Sequence, residues 1–327
     1  MRKGSHNSKR MRKAAIKRRR NRHKVEDRMS ELPDDILIYI ISRLTLQEAT
    51  STSILSTRWR YLHTHVTHLN FPPFEPDIIF GRGMFYRSVS EIKERFPKHV
   101  KMINDVLDSH RAEAVKELKM HMYDIEGGDM KKWVEFALTR EVEILDINMI
   151  DFSDAYVARG CYNLGLAKLI TTCKYRCCLK ELTLSSVDVD DQDFDLLISD
   201  FLALENLSIR DPGNLKNVSI VGNSKLKHLD ISDAALESFE VRDLMNLVSL
   251  RCHYLPRGCA LWLGNIPELI ELDTNESGFN TRPHDELFAK IPSCIRDQLQ
   301  LLRLSTLTSV VPWVSKSNSQ FWLVLIS

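Results

Sequence analysis

The sequence predicts an α+β chain: a small three-helix module followed by an irregular solenoid of α/β repeats with parallel strands. Two observations predict it. Between Arg28 and Leu62, apolar residues recur at helical spacing in segments too short to bury one another. From Val115 onward, a pattern apolar-x-x-apolar-x-apolar returns nine times, at steps that divide into a long-period half and a half near 11 residues.

Charge marks off the first segment. Residues 1–24 hold 12 Lys or Arg and no Asp or Glu, which leaves 33 basic against 44 acidic residues, or −11, for positions 25–327. Like charges at this density keep a segment extended, so residues 1–26 are expected to be a disordered basic tail. Its two clusters, Lys9-Arg10 with Arg12-Lys13 and then Lys17-Arg18-Arg19-Arg20, resemble a nuclear import signal. The expected location is the nucleus, with the cytoplasm as a second compartment; a solubilising arm is the alternative. Met11 and Ile16 are too few for the amphipathic face of a transit peptide. The N-terminus lacks the apolar core of a signal peptide, and no run approaches the roughly 18 apolar residues that cross a bilayer. An intracellular protein with no membrane partner is expected. Seven cysteines scattered from Cys161 to Cys294 fit reduced thiols and no disulfide framework.

The helical module starts at Pro33, whose missing N–H costs nothing at a helix start, with Asp34 and Asp35 in the first turn where the helix dipole favours negative charge. Ile36, Leu37, Ile40, Ile41 and Leu44 form an apolar stripe, with Ser42 and Arg43 expected on the wetter side. A second short helix takes its face from Leu46, Ala49, Ser53, Ile54 and Leu55, and a last turn around Arg58, Trp59 and Leu62 closes the segment. Modules below about 40 residues rarely fold alone, so the surplus of large apolar groups implies a partner.

Leu32-Pro33, the Ile40-Ile41 and Leu44 spacing, and the Ser53-Ile54-Leu55-Ser56 run leading to Arg58-Trp59-Arg60 resemble an F-box of the plant type. The resemblance implies that residues 27–70 bind a Skp-family adaptor, and through it a cullin scaffold with a RING subunit. The residues expected to face that adaptor or to define the module are Leu32, Pro33, Ile36, Leu37, Ile40, Leu44, Leu55 and Trp59. Thr45 stands where the family usually has Pro, and Thr50 where it often has Val. Each departure removes a little rigidity or apolar area, worth roughly 1 kcal/mol.

Three prolines in Phe71–Pro76 rule out a regular element there and mark a boundary. Residues 71–112 are expected to be a linker with an exposed loop from Phe80 to Ser90 and a capping helix from about Lys98 to His110. The solenoid then occupies 113–310. Its repeats begin at Val115, Val142, Leu179, Leu204, Leu215, Leu226, Leu236, Leu247 and Leu269, steps of 27, 37, 25, 11, 11, 10, 11 and 22 residues. A period above 20 with one strand per coil is the leucine-rich-repeat pattern, in which alternate apolar residues point inward and the polar ones between them point out. Eleven residues fit only a strand and a turn. From Leu204 to Cys252, each coil of about 22 residues is therefore expected to place strands on both sides of the core. Leu207, Ile209, Leu229, Ile231, Leu250 and Leu272 should form one inner layer, with Ser208, His228, Asp230, Ser249 and Arg251 exposed between them. Leu215, Val218, Ile220, Leu236, Phe239 and Val241 should form the opposing wall. The longer coils have room for helices at Trp133–Leu138, Leu164–Tyr175 and Asp193–Leu202.

From about Asp27 to Asn275 the chain is similar to plant F-box proteins with irregular leucine-rich repeats, some of which carry a further small FBD domain that the sequence after Asn275 does not display. There only Leu299-Leu302-Leu304 keeps the pattern, and residues 311–327 form a C-terminal tail ending in the apolar run Phe321–Ile326. That run either packs back, or the chain is a truncated relative.

Candidate chemistry is weak. His63, His65 and His68 lack a Cys or carboxylate to complete a zinc set, and Cys173, Cys177 and Cys178 lack paired C-x-x-C spacing. The acidic run from Asp188 to Asp195 has Asp193 and Ser199 where a calcium loop needs Gly and Glu, and reads as a turn that starts a helix. No phosphate loop or nucleophile motif is present, so no catalytic residue, metal or cofactor is expected. The resemblance implies a non-catalytic, substrate-recognition subunit of an SCF-type ubiquitin ligase, whose repeats select an unknown target protein. Two alternatives are an adaptor-binding scaffold without ubiquitylation and a nuclear nucleic-acid-associated protein using the basic tail; the acidic folded part argues against nucleic acid.

Overall fold

The computed structural model describes residues 28–29, 31–72, 78–81, 84–87, 89–123, 129–150, 161–172, 178–222, 225–256, 258–276, 291–305, 313–317 and 320–324. The basic import clusters, together with Cys173 and Cys177, lie outside these residues. The chain divides into two compact units, Met1–His63 and Thr64–Ser327.

In the first unit, Pro33 takes an extended conformation and releases the chain into helix α1, Asp34–Ile41, with Asp34 and Asp35 in its first turn as the sequence predicts. Leu37 and Ile41 are its buried residues. Ser42, expected on the wet side, is buried; the helix ends on it, and its N–H donates to the Ile38 carbonyl at 2.8 Å. Helix α2, Leu46–Ser51, starts from Thr45 through a reciprocal capping box: the Glu48 N–H donates to Thr45 Oγ1 at 3.3 Å, and the Thr45 N–H donates to Glu48 Oε2 at 3.0 Å. The predicted second helix is cut short. Thr50, Ser51 and Thr52 each turn a hydroxyl back onto a carbonyl three or four residues earlier, at 2.8, 2.7 and 2.6 Å, and the chain tightens into a 3₁₀ turn over Thr52–Ile54. Ala49 is buried, but Ile54 and Leu55 are exposed instead of completing an inner face. A further 3₁₀ stretch covers Trp59–His65.

The second unit opens earlier than the sequence boundary suggests. Strand β1, His68–Asn70, pairs in parallel with the first repeat strand, so residues 64–70 fold with the solenoid. The stretch read as an exposed loop, Phe80 to Ser90, holds the end of β2 (Ile78–Gly81) and all of β3 (Met84–Arg87), two short antiparallel strands. Helix α3 runs over Val89–Ser109, a longer span than predicted, with Pro97 inside it; Ile103 and Leu107 are buried. There follow β4 (Glu117–Tyr123), α4 (Asp129–Leu138), β5 (Ile144–Ile150), α5 (Leu166–Thr172), β6 (Glu181–Ser185) and α6 (Asp191–Asp200). The acidic run does start a helix: Asp190 caps α6, its side chain accepting the Asp193 N–H at 2.8 Å.

Seven strands come next: β7 (Asn206–Arg210), β8 (Asn217–Val221), β9 (His228–Ser232), β10 (Ser238–Arg242), β11 (Ser249–Leu255), β12 (Ala260–Gly264) and β13 (Glu271–Glu276). Helix α7, Ser293–Gln298, and strands β14 (Leu301–Ser305), β15 (Trp313–Ser317) and β16 (Gln320–Val324) complete the described elements. Eleven of the described strands form one sheet in the order β1-β4-β5-β6-β7-β9-β11-β13-β14-β15-β16, parallel as far as β14 and antiparallel beyond it. The skipped strands form a second, parallel sheet, β12-β10-β8. Strands of the 11-residue half thus alternate between two walls. Leu207, Leu229, Leu250 and Leu272 pair in register across β7, β9, β11 and β13, and all are buried. Val218, Phe239 and Leu261 pair across the opposing sheet, and Leu215, Val218, Ile220, Leu236, Phe239 and Val241 are buried in it. In the longer coils helices stand where the second sheet later stands, α4, α5, α6 and then β8 contacting one another in turn.

The change of direction after β6, β7, β9, β10 and β12 uses one device. Ser186, Asp211, Asp233, Asp243 and Asn265, each next after a strand, adopt left-handed backbone with φ between 50 and 58°. Asp and Asn tolerate that conformation better than other non-glycine residues. The N–H freed at the corner donates to the last strand residue of the next coil: Ser186 to the Arg210 carbonyl at 2.8 Å, Asp211 to Ser232 at 2.9 Å, and Asp243 to Gly264 at 3.1 Å.

Candidate interaction surfaces

In the first unit, the site follows from where α1 and α2 end. The early 3₁₀ turn after Ser51 leaves Ile54 86% and Leu55 63% exposed, and α1 turns Ile36 and Tyr39 outward. Pro33 and Leu44 are exposed, whereas Leu32 and Ile40 are half-buried. Leu37 and Trp59 are buried, so in this structure they shape the module from within. Arg58 ties the segment's end to its beginning, its Nε donating to Asp34 Oδ1 at 2.7 Å and its guanidinium also donating to the Leu32 carbonyl. Tyr39 carries the Arg43 guanidinium over its ring at 4.7 Å and accepts a hydrogen bond from it at 2.7 Å. Sequence reasoning passed over Tyr39 and counted Ile54 as internal. The run of hydroxyl residues Thr50, Ser51 and Thr52 is the signal that could have placed Ile54 outside the helix. An aliphatic side chain taken from water by a partner contributes about 1.5–3 kcal/mol, so this patch can hold a protein surface but offers no group for chemistry.

The second unit presents the polar side of its long sheet. Alternation puts Lys119, Asp146, Thr183, Ser208, Asp230, Arg251 and Asp273 in one row of registered residues, outward of the buried leucines. Several charges are already matched. Arg210 meets Asp230 at 2.9 Å, Lys119 meets Glu117 at 2.8 Å, and His253 meets Asp273 at 2.8 Å. The hydrogen bond to Asp273 outweighs burial and raises the His253 pKa. Burial pushes the Glu117 carboxyl up, but the Lys119 hydrogen bond and charge outweigh it and hold it below its ordinary value. Ser249, expected to be exposed, is buried, a short side chain in register between the longer His228 and Glu271 on the neighbouring strands. His228 and Arg251 are exposed, whereas Ser208 and Asp230 are half-buried. A depression of about 560 Å³ lies over β5 to β13, lined by Glu181, Asn206, Asp230, Arg251 and Glu271 among others.

No group of three metal-ligating side chains occurs among the described residues, which include His63, His65 and His68. No helix of the described residues is long and apolar enough to cross a membrane. Cys252 is buried and Cys294 exposed, and both are free thiols; burial raises the Cys252 pKa to about 12, the behaviour of an inert core residue.

Comparison with known proteins bears on both units. Residues 29–62 match the F-box domain model. A putative F-box/FBD/LRR-repeat protein of Arabidopsis thaliana is 29% identical over 231 residues, 64% of this chain and 47% of the relative. An F-box protein of the same plant is 31% identical over 233 residues, 65% of this chain and 46% of the relative. Another F-box/FBD/LRR-repeat protein from Arabidopsis is 28% identical over 296 residues, 84% of this chain and 66% of the relative. Residues 29–62 thus define an F-box domain. With the repeats that follow, the chain is similar to plant F-box proteins that carry leucine-rich repeats. The chain spans about half the length of the first two relatives.

Proposed function

We propose that this chain is a substrate-recognition subunit of an SCF-type ubiquitin ligase, contributing no catalytic residue itself. Its F-box unit binds a Skp-type adaptor, which joins it to a cullin-RING scaffold, and its repeats hold a target protein, in the nucleus. The observation that carries the reading is the apolar surface of Pro33, Ile36, Leu44, Ile54 and Leu55 on a segment that matches the F-box model. The function is proximity: a target lysine held beside a charged conjugating enzyme meets it at a high effective concentration.

The Leu32→Ala, Pro33→Ala double variant is expected to lose co-purification with a Skp-type adaptor while the circular dichroism of the repeats is unchanged. Retained binding would remove the adaptor assignment. A target whose half-life depends on the adaptor-competent chain separates the receptor from a scaffold that docks without ubiquitylation.

A further inference from the structure

The depression on the outer face of the long sheet has ionic groups without a hydrogen bond or ion pair of their own among the described residues, although Glu181 feels the charge of Lys119 and Arg251 stands in register between Asp230 and Asp273. Asp230 accepts from Arg210 at 2.9 Å and Ser232 at 2.6 Å, and is satisfied within the sheet. The side chains of Glu181, Glu271 and Arg251 make no hydrogen bond or ion pair among the described residues, yet all three line the depression. Glu181 on β6 and Glu271 on β13 occupy the same registered row, with Asn206, His228 and Ser249 between them. Four strand-to-strand steps separate the two carboxylates, which is roughly 19 Å at ~4.8 Å per step. Arg251 stands on β11, one strand before Glu271 and two residues further along the strand than Ser249 in the carboxylate row.

We propose that this face binds an extended basic segment of a partner protein that lies across the strands, a deepening that rests on reading the repeats as the target-binding surface. An extended chain advances ~3.3 Å per residue, so about six residues span the two carboxylates. The matching segment carries cationic residues six positions apart, one at Glu181 and one at Glu271. An acidic residue four positions after the first cation faces Arg251. No large apolar side chain lies between the carboxylates in their row, so recognition is by charge register and weakens with added salt.

The test uses fluorescence polarisation on the full chain with fluorescein-labelled, serine-rich nine-residue peptides. One peptide has arginine at positions two and eight and aspartate at six; its control, of identical composition, has arginine at two and four. The spaced peptide is expected to bind at least about fivefold more tightly. Glu181→Lys and Glu271→Lys should each weaken it roughly five- to tenfold, the effect of a partly exposed ion pair made repulsive. Arg251→Glu should abolish the preference for aspartate over serine at position six. A peptide with glutamate at two and eight and serine at six should prefer the doubly reversed variant, Glu181→Lys with Glu271→Lys, to the wild type, which rules out misfolding as the cause of lost binding. Equal affinity for spaced and control peptides overturns the proposal. So does binding that appears only after residues 1–24 are removed, which would give the face to the chain's own basic tail. A target whose turnover still depends on the doubly reversed variant would keep the receptor reading and remove this chemistry. Binding of the spaced peptide without any chain-dependent turnover would do the reverse.

Discussion

Thr45 shows how one residue can depart from its family's pattern and keep the local structure. Its φ of −61° and extended ψ are values that proline would also adopt. Threonine adds what proline lacks, an N–H donor and a hydroxyl acceptor, and both engage Glu48. Those hydrogen bonds from the Thr45 backbone and side chain lower the Glu48 pKa. Thr45→Ala is therefore expected to cost about 1 kcal/mol of helix α2, the usual worth of a threonine cap. Faster hydrogen exchange at the Glu48 and Ala49 amides, with the solenoid amides unchanged, would register it; unchanged exchange would show the cap to be idle. Although Thr45 counts in the sequence only as the loss of a proline, its spacing to Glu48 was legible there as a capping box. The burial of Ser42 and Ser249 was not, because small polar side chains follow whatever their larger neighbours cover.

At the scale of elements, the most legible feature was the 11-residue step. It leaves no room for a helix, so consecutive strands had to fall on opposite walls, as β7 to β13 do. The strands β2 and β3 were illegible for the complementary reason: they belong to no repeat, and Gly81 and Gly83 resembled loop residues. Four of the five left-handed corners are an Asp or Asn directly after a strand and the fifth is Ser186, but only the pairing shows that their amides serve the next coil. Gly213 and Gly222 separate the two costs of such a turn. Both have positive φ, 75° and 93°. A Cβ on Gly213 would stand 2.9 Å from Cys161 Sγ, whereas one on Gly222 meets nothing within 4 Å. Gly222→Ala should cost about 1–2 kcal/mol of backbone strain, and Gly213→Ala more than that because Cys161 must also shift. Chemical denaturation midpoints of the two variants measure the difference, and equal midpoints would show that Cys161 yields freely.

At the scale of the whole molecule, charge is divided as sharply as structure. The first 24 residues carry 12 cationic side chains, while positions 25–327 sum to −11, so the formal net charge of +1 describes neither part. A body of that sign repels nucleic acid phosphates, and a cationic arm of that density is open to an acidic groove on an import receptor. The two roles offered for the arm, address and solubilising segment, differ in how they depend on sequence. An address depends on the cluster Lys17-Arg18-Arg19-Arg20, whereas solubility depends on total charge. Replacing those four residues by alanine should shift a fluorescent fusion of the full chain from nucleus toward cytoplasm. Moving the same four charges to scattered positions in the tail should fail to restore nuclear enrichment if a receptor reads the cluster, and should restore solubility in either case. Undiminished nuclear signal after both changes would leave the arm as a solubilising segment and withdraw the nuclear part of the proposed function.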